Sequence, residues 1–112
     1  MNKGITVVVY PVTDIAKAKA QFTALLGKEP YADSPYYVGY KVGKQDIGLD
    51  PNGHKEGVTA YYEVDDIKGS LQALLDAGAQ TVEDVKDVGN GRLVASVKDA
   101  NGNLIGLLQD PA

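Results

Sequence analysis

The chain has no cysteine, no tryptophan, one histidine and one phenylalanine among its 112 residues. Without cysteine there are no disulfides, no thiolate metal sites and no Cys nucleophile. The one histidine, His54, sits between Gly53 and Lys55 in a polar stretch. It reads as an exposed loop residue; the functional alternative is a general base or a single metal ligand. No Ser, Thr or Cys nucleophile adjoins it, so it forms no triad. Basic charge is also short: the formal net charge is -4 and the isoelectric point is near 4.8. Nucleic acid is therefore not the expected partner, since a basic surface supplies most of that affinity. No run is long and apolar enough to span a bilayer, and no basic amphipathic helix suggests a membrane surface. Asn2-Lys3-Gly4 leads directly into a strand rather than a signal peptide, so the expected location is cytoplasmic. The apolar fraction of 44% and mean hydropathy of -0.19 suit one globular domain with a proper core.

What is present is a repeat. Val8-Val9-Tyr10-Pro11-Val12-Thr13-Asp14-Ile15 begins a first copy, which continues through an apolar-periodic stretch to Leu26-Gly27. Ala60-Tyr61-Tyr62-Glu63-Val64-Asp65-Asp66-Ile67 begins a second, which continues to Ala77-Gly78. Each copy closes on Ile-Gly-Leu: Ile47-Gly48-Leu49 before Asp50-Pro51, and Ile105-Gly106-Leu107 before Asp110-Pro111. Such self-similarity marks a duplicated supersecondary unit, and two half-units must pack or pair to bury their apolar faces. The expected division is one domain, 1–112, of two modules, 1–51 and 57–112, joined by a polar linker from Pro51 to Gly57.

Within the first module, Ile5–Val12 reads as a strand covered on both faces. Thr13 or Asp14 caps a helix whose apolar face is Ile15, Ala18, Phe22, Leu25 and Leu26, with Gly27 just past its end. A short edge strand is expected between Pro30 and Pro35, followed by strands Tyr36–Val42 and Gln45–Asp50 around the turn Gly43-Lys44. The second module repeats this order. Val58–Val64 is a strand, and Asp65 or Asp66 caps a helix with the core face Ile67, Leu71, Leu74 and Leu75. Thr81–Val88 reads as a charged edge strand. Asn90-Gly91 and Asn101-Gly102 bracket the strand Arg92–Lys98, and Leu104–Gln109 closes the module. The fold class is α+β, as two tandem βαβββ modules.

A tandem βαβββ pair of this length resembles the vicinal oxygen chelate superfamily of glyoxalase I, bleomycin-resistance proteins and extradiol dioxygenases. The resemblance is carried by Tyr10-Pro11-Val12-Thr13-Asp14-Ile15, by Phe22 with Leu25-Leu26-Gly27, by Glu63-Val64-Asp65-Asp66-Ile67, and by Asp99-Ala100-Asn101-Gly102-Asn103-Leu104-Ile105. It implies strands of both modules curled into a mixed sheet around a pocket. It also implies, in metal-dependent members, one metal ligand on each of four strands. The histidine opening the first strand corresponds to Val7, and its second-module equivalent to Thr59. The glutamates of the closing strands correspond to Gly48 and Gly106. Valine and glycine offer a divalent ion nothing, and one threonine hydroxyl is a poor donor. The resemblance is therefore to a member without the usual metal site, and no metal or cofactor is expected.

Strand alternation then suggests the lining of the pocket. Val7 and Val9 share one parity with Thr59, Tyr61 and Glu63 of the second module. Gly48 is flanked by Asp46 and Asp50, and Gly106 by Leu104 and Leu108. The expected ligand pocket comprises Val7, Val9, Tyr40, Gly48, Thr59, Tyr61, Glu63, Arg92 and Gly106, with extra room where the two glycines lack side chains. Glu63 and Arg92 are alternatively a cross-strand pair at the rim. Tyr31, Tyr36, Tyr37 and Tyr40 read as half-buried strand packing, as a stacking wall for a planar ligand, or as a dimer contact. The functional expectation is a homodimer that binds a small organic molecule, a planar one included, rather than an enzyme. The alternative is a metal-dependent lyase, isomerase or dioxygenase of the glyoxalase I type with ligands elsewhere.

Overall fold

The computed structural model describes residues 2–53 and 57–111, so His54 lies outside the described residues. Its elements in chain order are β1 (Asn2–Pro11), α1 (Ile15–Leu26), β2 (Ala32–Ser34), β3 (Tyr37–Val42), β4 (Gln45–Asp50), β5 (Thr59–Val64), α2 (Ile67–Asp76), β6 (Gln80–Asp87), β7 (Leu93–Lys98) and β8 (Leu104–Gln109). This is the α+β fold expected from two βαβββ modules. The chain divides into two compact units. The first is Thr6–Thr59; the second joins the residues up to Ile5 to those from Ala60 onward. β1 thus begins in the second unit and continues in the first.

In the first unit the strand order is β2-β3-β4-β1. Gly43 takes a positive φ of 60° in the tight turn that joins β3 to β4, and these strands pair antiparallel with Val42 opposite Gln45. β1 runs parallel to β4, as the intervening helix requires, with Val7 opposite Asp46 and Val9 opposite Gly48. Asp14 caps α1 by accepting from the Lys17 amide, and Gly27 ends it in the left-handed conformation at φ 68°. The core forms between α1 and one face of these strands. Ala18, Val38, Tyr40 and Leu49 are buried, with Tyr10, Val12, Ile15, Phe22, Leu26 and Ile47 packed around them.

Leu25 departs from expectation. It is 73% exposed, although it falls on the apolar stripe of α1. At 3.6 residues per turn it stands about 60° from Phe22, on the flank of the stripe and in the last turn. Ile15, Ala18, Phe22 and Leu26 make the contact with the strands instead.

The second unit repeats the plan with the order β5-β8-β7-β6, the opening residues of β1 lying beside β5. Asp66 caps α2 through the Gly69 amide, and the Ile67 amide donates to Gln109 Oε1 at 2.7 Å, tying the helix start to the end of β8. Val64, Ile67, Leu71, Ala95, Val97 and Leu107 are its buried core. Leu74 and Leu75 pack against it half-buried, so the expected helix phase is correct though Leu74 is not fully enclosed. β6 pairs with β7 through two register shifts, which with its charged residues suits a strand at a sheet edge.

Candidate functional site

The face of each sheet turned away from its helix carries the residues singled out by sequence. In the first unit, register and alternation place Val7, Asp46 and Lys41 in one row across β1, β4 and β3, and Val9, Gly48 and Gly39 in the next. A side chain is missing at Gly48 because a ring occupies its place: a Cβ there would stand 2.8 Å from Tyr37 Cζ, nearer still to its hydroxyl. At Gly39 a Cβ would lie 3.1 Å from Tyr37 Cε2 and 3.2 Å from the Tyr31 ring. Two tyrosines therefore lie across a floor of two paired glycines. Lys41 Nζ stands 5.7 Å from the centre of the Tyr31 ring and 3.1 Å from Asp46 Oδ1. Asp46 is buried, so this ammonium supplies the charge partner that its carboxylate needs.

The second unit builds its own version. Tyr61, Gly106 and Ser96 form one row across β5, β8 and β7, and Glu63, Leu108 and Val94 the next. A Cβ on Gly106 would stand 2.7 Å from Tyr61 Cγ. The glycines at both closing strands thus admit tyrosine rings from their own unit. The expectation that they leave free room is corrected: aromatic rings take the space. Sequence reasoning had grouped Tyr37 with the other tyrosines without assigning it this place. Its parity with Gly39, opposite Gly48 in the hairpin, was the available signal.

Tyr40 is a second correction. It was expected in the pocket but is fully buried on the opposite, helix-facing side. Its hydroxyl lies 2.8 Å from Thr23 Oγ1 and donates to the Lys19 carbonyl at 3.0 Å, so it fastens α1 to β3. Tyr36 precedes β3 and is 74% exposed. Thr59, at the start of β5, is buried, and its hydroxyl has no hydrogen-bond partner among the described residues.

Glu63 and Arg92 also take partners other than each other. Arg92 Nε donates to Asp110 Oδ1 at 2.6 Å and Nη2 to Oδ2 at 3.3 Å, a two-point grip just outside the strands. Glu63 faces Lys3, whose ammonium is 3.6 Å from Glu63 Oε2 and 3.1 Å from Asp65 Oδ1. The hydrogen bond that Lys3 donates to Asp65, with the charges of Asp65 and Glu63, holds the Lys3 ammonium above its ordinary pKa, and the same bond lowers that of Asp65.

The residues at the expected metal-ligand positions do not suit a divalent ion. Val7, Gly48 and Gly106 have no donor atom, and Thr59 has only its hydroxyl. Among the described residues, no group of three or more His, Cys, Asp or Glu side chains stands close enough to hold a metal ion. No helix of the described chain is long and apolar enough to cross a membrane.

Comparison with known proteins agrees with this architecture. Residues 4–107 match the family described as Glyoxalase/Bleomycin resistance protein/Dioxygenase superfamily. Among solved structures, a glyoxalase/bleomycin resistance protein/dioxygenase superfamily member from Vibrio splendidus 12B01 is similar with a TM-score of 0.75 and 21% identity, over 99% of this chain and 100% of that one. Methylmalonyl-CoA epimerase from Mycobacterium tuberculosis gives a TM-score of 0.74 at 18% identity, over 99% of this chain and 90% of that one. A variant of the Streptomyces coelicolor methylmalonyl-CoA epimerase, in complex with 2-nitronate-propionyl-CoA, gives 0.77 at 15%, over 100% and 97%. At these identities the likeness is one of fold. Among curated proteins, none matches the sequence.

Proposed function

Since the chain belongs to the Glyoxalase/Bleomycin resistance protein/Dioxygenase superfamily, we propose that it binds a small organic molecule with a planar part, and does so without a metal. The observation that carries this reading is the tyrosine ring laid over each of two glycines, Tyr37 on Gly48 and Tyr61 on Gly106, at the positions where the resemblance implies metal ligands. Such a face offers flat aromatic surface rather than charge-bearing donors, which favours stacking over coordination.

The test is a thermal-shift screen of planar organic acids and their neutral analogues, with elemental analysis of the purified protein. The expected result is a concentration-dependent rise in Tm for members of the panel, with no stoichiometric metal. About one Zn, Ni, Fe or Mn per chain would overturn the reading in favour of a metal-dependent lyase, isomerase or dioxygenase.

We also propose that the protein acts in the cytoplasm as a two-fold homodimer. Support for pairing comes from β2 and β6, each of which has a single neighbour in its sheet order. Light scattering at micromolar concentration should give the dimer mass; a monomer mass would refute this assembly.

A further inference from the structure

The two copies differ at one place under their helices. In the register that aligns Asp14-Ile15 with Asp66-Ile67, Tyr10 corresponds to Tyr62, Val12 to Val64, Ala18 to Ser70 and Phe22 to Leu74. The closing triplets add Ile47 with Ile105 and Leu49 with Leu107. In the first unit the Phe22 ring packs on Tyr10, with centroids 4.9 Å apart and planes tilted by 54°. In the second unit the same wall and floor are kept, but leucine stands where the ring would be. There an open cleft of about 440 Å³ lies at the surface, lined by Asn2, Tyr62, Val64, Ser70, Ala73, Leu74, Ile105 and Leu107. The lining is mostly apolar, as a small-molecule site requires.

We propose that this cleft between α2 and β5 is a binding site for a single aromatic ring bearing one polar substituent, such as a phenol. It is separate from the tyrosine-on-glycine faces, since Tyr62 and Tyr61 point to opposite sides of β5. The ligand ring takes the place that Phe22 fills in the first unit and packs on Tyr62 at the tilted geometry that aromatic pairs favour. Its polar group meets Ser70, which replaces the buried Ala18 of the first copy and brings a hydroxyl to the cavity wall. No protein hydrogen bond engages the side-chain hydroxyl of either Ser70 or Tyr62 among the described residues, so both remain available to a ligand.

The experiment is titration of the isotope-labelled full chain with phenol and with toluene, followed by amide NMR. Saturable shifts centred on Ser70, Ala73, Leu74, Ile105 and Leu107 are expected. Leu74→Phe should abolish them and raise Tm, because the protein's own ring then fills the cavity. Ser70→Ala, a small change on a half-buried position, carries the test independently of that variant. It should weaken phenol by about two- to tenfold, the worth of one hydrogen bond, and leave toluene unchanged. Shifts that do not saturate, or that centre on Tyr31, Tyr37 or Tyr61, would overturn the assignment. So would equal loss of both probes in Ser70→Ala. The responses of Leu74→Phe and Ser70→Ala at this cleft do not depend on whether the tyrosine-on-glycine faces bind a ligand.

Discussion

Tyr61 and Gly106 are direct partners across the parallel β5–β8 ladder, and the tyrosine ring lies where a side chain on residue 106 would have to stand. The glycine is therefore a packing requirement. Gly106→Val should cost about 1–3 kcal/mol, the usual penalty of overpacking, because the ring must be displaced. Adding Tyr61→Ala should recover part of that loss, since the clash then disappears. Chemical denaturation of the two single variants and the double variant measures the coupling. Strict additivity would show that the ring and the glycine do not meet.

The helix contacts give a contrasting pair. Leu71 is 7% exposed in the core beneath α2, whereas Leu25 on α1 is 73% exposed. Leu71→Ala should cost about 2–5 kcal/mol, and Leu25→Ala should stay within about 0.5 kcal/mol of the parent. Equilibrium unfolding of both variants checks this; equal losses would place Leu25 in contact with something the fold does not show.

The duplication made the module order, the cap of each helix to within two residues, the hairpins and the faces of β1, β4 and β8 legible, because repeated local signals with period 2 or 3.6 leave few alternatives. Gln45–Asp50 and Leu104–Gln109 are strands over the very residues expected. Tyr40 was placed on the wrong face although the information was there: the Gly43-Lys44 turn pairs it with Ile47, which faces α1. The ring positions above Gly48 and Gly106 were not legible. They depend on side-chain rotamers across strands, and composition shows only that tyrosines and glycines are both abundant. Partner choice at Glu63 and Arg92 was hidden for a related reason. Lys3 and Asp110 are distant in sequence and reach them through the sheet.

Tyr40 offers a direct check on that face assignment. Tyr40→Phe removes a hydroxyl held by Thr23 and the Lys19 carbonyl while keeping the ring. The expected loss is about 0.5–1.5 kcal/mol, with ligand-induced melting shifts unchanged because the ring lies under α1. A variant with full stability and altered ligand response would put the hydroxyl on the other side of the sheet.

The proposed metal independence has a stability consequence besides composition. A structural or resident divalent ion contributes to folding, so its removal lowers Tm. With Val7, Gly48 and Gly106 lacking donor atoms, excess EDTA followed by dialysis should leave Tm unchanged. A fall of several degrees, restored by one added metal, would identify ligands away from the expected positions.

The turn between β7 and β8 carries a pH dependence of known sign. Asp99 Oδ1 accepts from the Asn103 amide at 2.8 Å and the Asn101 amide at 2.9 Å, while Oδ2 accepts from the Asn103 side-chain amide at 3.2 Å. These bonds favour the charged form, and the Asn103 backbone bond is the largest cause holding the carboxyl below its ordinary value of 3.8. A depressed folded-state pKa means that the ionised group stabilises the fold fully above the unfolded value. The contribution is lost as pH falls from there through the folded value. Asp99→Asn removes the titration. The difference in Tm between parent and variant should be constant at neutral pH and shrink as the pH drops below about 3.8. Melting curves across that range test it, and a difference that persists undiminished in acid would show that the carboxylate's charge plays no part in closing the turn.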